Sequence, residues 1–233
     1  SLREKLDAAL LVHGDCDLST TGEKQLKFKL TVKPELFEAL PVDVVFSSPL
    51  RSALKTALIA YPTHKIVVLP ELREVSTKAG LGQADLLALV EKTAPNRKAD
   101  VDLSKVPAKP WHTAVEKPDA VRSRVQGVLK TVCKTLSTRK ERVAIVSHMG
   151  LIREMCSEMK PFPTAWAGAA AFPMNFRPYA GTLVAEDEGA IRVRPAASGK
   201  EATVLLVRNA HSRAQAAHTL QKNIKRFRAA PDN

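Results

Sequence analysis

Short apolar runs, rich in branched residues, recur along this chain, and each breaks off at a polar or charged segment. They are Val42–Phe46, Lys65–Leu69, Arg142–Ser147 and Thr203–Val207. Runs this short fit strands, whereas a buried helix needs roughly ten residues or more. Their near-continuous apolarity fits strands covered on both faces, as in a parallel sheet. Segments with helical spacing lie between them, and the alternation predicts an α/β architecture with a mostly parallel sheet. The clearest helix is Pro118–Thr138, where Val121, Val125, Val128, Val132 and Leu136 recur at spacings of three and four. Gln83–Thr93, Gly150–Met159 and Ser212–Phe227 also read as helices. A further helix runs from about Pro49 to Ala60, with Ser48 as its cap and proline in its first turn. Ala180–Ala185 and Ala190–Val193 flank Glu186-Asp187-Glu188-Gly189, a hairpin turn. Pro95–Pro118 carries Pro95, Pro107, Pro110 and Pro118 and interrupts the alternation. It is expected to be the least ordered stretch and to act as a lid over one end of the sheet.

Composition narrows the function classes. With 45% apolar residues among 233, the chain suits one compact domain over residues 1–233. Its 26% of charged residues and lack of repeats argue against a disordered or solenoid protein. No apolar run approaches the roughly 20 residues that span a bilayer, so no membrane partner is expected. Ala8–Val12 is too short for a signal-peptide core. Cys16, Cys133 and Cys156 are odd in number and form no Cys-x-x-Cys pair, which argues against a disulfide framework and a zinc site. Reduced thiols in the cytoplasm are the default expectation.

The net charge is +12, and Ile191–Arg228 holds nine Lys/Arg against one acidic residue. A solvated basic surface, attraction of phosphorylated small molecules, and nucleic-acid binding are the readings to weigh. Aromatics make up only 5% and do not interleave with the basic residues, which argues against base stacking and a nucleic-acid partner.

In open α/β sheets ligands sit beyond the carboxyl ends of the strands. The segments holding Ser48 and Arg51, His148, and Arg208 and Asn209 all follow such ends. The motifs around them are more specific. Thr203-Val-Leu-Leu-Val207 leads into Arg208-Asn209-Ala210-His211-Ser212; Asp17–Gln25 reads Asp-Leu-Ser-Thr-Thr-Gly-Glu-Lys-Gln. Val44–Arg51 reads Val-Val-Phe-Ser-Ser-Pro-Leu-Arg, Pro70–Glu74 reads Pro-Glu-Leu-Arg-Glu, and Val143–Gly150 reads Val-Ala-Ile-Val-Ser-His-Met-Gly. In cyclic order these resemble the motifs of the histidine phosphatase (phosphoglycerate-mutase-like) family, whose opening motif is Leu-Val-Arg-His-Gly/Ala-x-Ser. That motif stands at the family's N-terminus and near this chain's C-terminus, so the resemblance implies a circular permutation with the family's first strand at Thr203–Val207. It also implies a three-layer α/β/α sandwich and transfer of phosphoryl groups of phosphomonoesters through a phosphohistidine, with no metal and no cofactor.

The resemblance assigns roles that suit phosphoryl chemistry. Charge on the non-bridging oxygens needs fixed donors, and the leaving oxygen needs an acid. Arg208 matches the first phosphate-binding arginine, whose planar fork is bidentate towards phosphate. His148 matches the second histidine, which binds the phosphoryl group. Glu74 matches the acid; Glu71 competes with it, and an ion pair with Arg73 or Arg51 is its structural alternative. The second family arginine is expected at Ser52, but arginine stands at Arg51, turned by roughly 100 degrees on a helix. Met149 replaces a glycine, and its backbone amide remains available to phosphate. Ser212 and Gln215 complete the phosphate-binding set.

Asn209 occupies the place of the nucleophilic histidine. An amide cannot form the phosphoramidate that an imidazole forms. Three readings stay open: a deliberate replacement that disables an enzyme, a natural pseudophosphatase that binds a phospholigand or phosphoprotein, or a nucleophile shifted to His211. The expected partner is a phosphorylated small molecule or phosphoprotein, with phosphate or another oxyanion in the pocket. The sequence does not separate mutase from phosphatase.

Overall fold

The protein was analysed as a computed structural model, which describes residues 15–32, 42–75, 79–114, 116–139, 142–156, 179–185, 191–195 and 204–208. Each short apolar run becomes a strand: β1 Val44–Ser47, β2 Lys65–Val68, β6 Val143–Ser147 and β9 Val204–Arg208. Between and around them lie α1 Thr20–Val32, α2 Arg51–Ala60, α3 Gln83–Thr93, α4 Pro118–Arg139 and α5 Met149–Met155. The remaining strands are β3 Ala79–Gly80, β4 Val101–Asp102, β5 Trp111–His112, β7 Tyr179–Ala185 and β8 Ile191–Pro195. The main sheet has the order β4-β2-β1-β6-β9-β7-β8. The five strands from β4 to β9 pair in parallel, and the β7–β8 pair is antiparallel.

Alternation along each central strand explains why the sheet is covered twice. Val45, Ala144, Val146, Leu205 and Val207 face one core with α2 and α3. Val44, Phe46, Val143, Ile145, Val204 and Leu206 face the other with α4 and α5. Both faces are apolar because both bear helices, and the result is the expected three-layer α/β/α arrangement.

The last described strand in sequence lies in the interior of the sheet. β9 pairs in parallel with β6, with Ser147 opposite Arg208, and in antiparallel fashion with β7. It extends one residue past the expected Thr203–Val207 end and carries Arg208 into the ladder.

Several expectations are corrected. The helix after β1 begins at Arg51, with Leu50 as its unassisted cap. Ser48 Oγ accepts a hydrogen bond from Leu50 N at 3.2 Å. The carboxylate of Asp15, 36 residues away, takes the Arg51 amide at 2.6 Å and so satisfies an orphan donor of the helix start. Helix α1 was not expected. Ser19 Oγ accepts from Gly22 N at 3.0 Å and opens it, while Leu26 packs with Leu18 and Ile59. Pro95–Pro118 is largely structured: a 3-10 turn over Pro95–Asp100, β4 on the sheet edge, buried Val106, and β5 paired with β3. Its prolines sit at turn starts and between elements, where a missing N–H costs little. The proposed hairpin turn and the helix over Ser212–Phe227 lie outside the described residues, as does the end of Gly150–Met159 beyond residue 156.

Candidate functional site

β1, β6 and β9 end side by side at one edge of the sheet, and their parallel register determines which residues meet there. His148 follows β6 directly and caps α5 in extended conformation. It is buried, at 6% exposure, and its Nε2 lies 2.9 Å from Ser48 Oγ at the end of β1. Ser48 is fully buried, and its amide donates to Val146 O at 2.9 Å. One lone pair of the Ser48 hydroxyl serves Leu50 N, so the hydroxyl is a fixed partner that holds the imidazole in place.

Glu74 reaches the same edge from the loop after β2. Its Oε1 accepts from Val75 N at 2.8 Å and its Oε2 from Gly150 N at 3.3 Å, near the start of α5. Ser147 Oγ donates to Leu72 O at 2.8 Å and ties that loop to β6. Gly150 leaves room for the Glu74 carboxylate here. A Cβ at this position would fall on Glu74 Oε1 and stand 2.8 Å from Val75 Cγ2. Gly150→Ala is therefore expected to destabilise the protein by about 1–3 kcal/mol, despite the better helix propensity of alanine. A lower urea midpoint at unchanged slope checks this, and an unchanged midpoint contradicts the packing.

Neither ion pair weighed for Glu74 forms. Arg73 turns instead to Glu116, with Nη2 2.8 Å from Oε1, and its guanidinium lies 5.8 Å from the centre of the Trp111 ring. Arg124 of α4 forks onto both oxygens of Glu116, at 3.0 and 2.6 Å, and donates through Nη1 to the carbonyls of Glu71 and Arg73. These contacts pin the loop that presents Glu74; Glu71 itself is exposed. Glu116→Ala would leave two largely buried guanidinium groups without their carboxylate. It is expected to cost about 3 kcal/mol in chemical denaturation; a change below about 0.5 kcal/mol contradicts the role.

Arg51 stands at the first position of α2. Its Nη2 donates to Asp15 O at 2.7 Å, and its Nε lies 3.5 Å from Asp15 Oδ2. Burial pushes the Asp15 carboxyl up to about 6, although Arg51 opposes that shift. Met149 is the first residue of α5. Arg208 is placed by register beside Ser147, one residue before His148. Asn209, His211, Ser212 and Gln215 lie outside the described residues.

The structure thus brings His148, Glu74 and the backbone of Arg208 to one edge, with Arg51 at the helix that follows β1. Sequence reasoning missed Asp15, and it missed the contact that Ser48 makes with His148. Asp15 carries no local signal, because its partner is remote in sequence. Ser48 was visible only as a cap. Among the described residues there is no cluster of His, Cys, Asp and Glu that could hold a metal ion, and no helix long and apolar enough to cross a membrane.

Beyond the carboxyl ends of a doubly covered, mostly parallel sheet thus stand a buried histidine and, at the end of β9, Arg208. The sequence model of the histidine phosphatase superfamily (branch 1) matches residues 4–171, and the chain belongs to that superfamily. Among solved structures, the ecdysone phosphate phosphatase of Bombix mori in complex with tungstate is similar with a TM-score of 0.41 and 16% identity. That match covers 70% of this chain and 64% of the other, so the chain spans under two-thirds of that protein's length. A putative alpha-ribazole-5'-P phosphatase from Escherichia coli K-12 is similar with a TM-score of 0.36 and 15% identity, over 79% of this chain and 86% of that one. No curated protein matches the sequence.

Proposed function

We propose that this protein is a circularly permuted histidine phosphatase whose phosphoryl site is retained and whose covalent turnover is blocked by Asn209. One observation carries the reading: β9, the last of the described strands, sits in the interior of the sheet and puts Arg208 opposite Ser147. A strand entering there from the C-terminal part of the chain is what a permuted order requires. On this reading residues 1–233 form one histidine-phosphatase-like domain; of the expected lid, Pro95–Asp100 lies at the other end of the sheet, where Arg97 donates to the carbonyls of Tyr61 and His64, and the stretch after β4 covers the site. Arg208, Arg51, His148, the Met149 amide, Ser212 and Gln215 bind the phosphoryl oxygens, and Glu74 protonates the leaving oxygen. The substrate is a phosphomonoester, either a small molecule or a phosphoprotein. If Asn209 is native, the protein is a pseudophosphatase that binds its phospholigand without turning it over. The reduced thiols of Cys16, Cys133 and Cys156 suit a cytoplasmic setting.

Calorimetry with phosphate or vanadate at low ionic strength tests the retained site. Binding is expected, and His148→Ala should weaken it about tenfold or more, as removal of a charge-assisted hydrogen bond does. No heat of binding to the unaltered protein contradicts the reading.

A second reading rests on a different observation. The family match begins at residue 4, upstream of Leu11-Val12-His13-Gly14, a string that shares Leu-Val and His-Gly with the family's opening motif but lacks its arginine. His13 would then be the nucleophile in an unpermuted order, and the unaltered protein would turn over phosphomonoesters and lose that activity on His13→Ala.

A further inference from the structure

Among the described residues Asp15 is the only buried carboxylate, and the proposed reaction gives it no task. It holds Arg51 through the backbone amide, through a carbonyl to Nη2, and through an ion pair at Nε. That ion pair is loose. Asp15 Oδ2 and Arg51 Nε face each other at 3.5 Å, and both are buried without a hydrogen-bond partner. An arginine held in this way offers less charge to an incoming oxyanion, while an anion drawn to Arg51 repels the carboxylate behind it.

We propose that Asp15 is a positioning residue of the oxyanion site, which competes with the bound anion for Arg51 and takes up a proton as the anion binds. The inference rests on the reading of Arg51 as an oxyanion ligand. Among the described residues, two charged groups bear on Asp15. Arg51 faces it from α2, and Asp17 lies on its own segment with its carboxylate engaged by Lys55 Nζ at 2.8 Å. The carboxyl already stands at about 6 through burial, so proton uptake falls in an accessible range. The bound state raises this value further. The linked gain in affinity is therefore fully present below about 6 and is lost as pH rises through the bound-state value.

Sulfate is the suitable probe, since its charge stays constant across this range. The carboxyl carbon of Asp15 is followed by NMR in the full chain from about pH 4 to pH 9, with and without saturating sulfate. The midpoint is expected to rise by about one unit, equivalent by linkage to about tenfold tighter sulfate binding at low pH than at high pH. Asp15→Asn isolates the Asp15 contribution from that of every other titrating group. That variant should lose the Asp15 share of the pH profile and bind sulfate more tightly at pH 8. Its fold is checked by circular dichroism; if it does not fold, the NMR midpoints of the unaltered protein decide alone. Sulfate binding with an unmoved Asp15 midpoint overturns this inference and leaves the oxyanion site standing. No sulfate binding at any pH overturns both.

Discussion

Asn209→His is expected to produce metal-independent hydrolysis of a small phosphomonoester such as p-nitrophenyl phosphate, at least about a thousandfold above the protein bearing Asn209. On the reading proposed above, every other role in the reaction is assigned to a residue at the sheet edge. His148 is buried and anchored by Ser48, Glu74 stands at the start of α5, and the backbone of Arg208 is locked into the ladder beside β6. What is missing is a group that attacks phosphorus and leaves again. An imidazole does so near neutral pH, whereas an amide has neither the basicity nor a stable phosphorylated form. The new activity should survive chelators. A correctly folded Asn209→His protein that stays inert on a broad panel would mean that the site binds without catalysing, and the pseudophosphatase reading would then hold.

Arg208→Ala is expected to weaken phosphate or vanadate binding about a hundredfold, the effect of losing a bidentate, charge-assisted contact of about 3 kcal/mol. The chain also carries many exposed cations, so the size of the effect matters more than its sign. Lys200→Ala or Lys222→Ala should change affinity less than about threefold, and that change should fade as salt is raised. Similar losses at all three positions would assign binding to the diffuse basic charge of the C-terminal segment.

The parts of this fold legible in the sequence share one cause. β1, β2, β6 and β9 are apolar almost throughout because helices cover both faces, and a short apolar run between polar ends has few other uses. Gln83–Thr93 and the long α4 announce themselves by spacing, since each buries one stripe. Helix α1 does not, because lysines interrupt its apolar residues; among its described side chains, Leu26 docks against Leu18 and Ile59. Pro95–Pro118 misleads for the opposite reason. Its prolines suggest disorder, while Val101 and Val106 bury themselves in the core beside α3. At the site, residues at strand ends could be read from sequence, because topology alone sends them to one edge. The contacts that hold them could not. Asp15 with Arg51, Ser48 with His148, and Glu116 with Arg73 each join residues from segments remote in sequence. Only the folded chain brings them together.

The central claim is that position 209 occupies the nucleophile's place in a permuted but otherwise complete phosphoryl site. Mass spectrometry of the Asn209→His protein, quenched without acid during turnover of a phosphomonoester, tests it most directly. The account predicts a single phosphohistidine that maps to position 209 and disappears when the substrate is exhausted. A phosphohistidine at His13 or His211, or the same label in the unaltered protein, would contradict it.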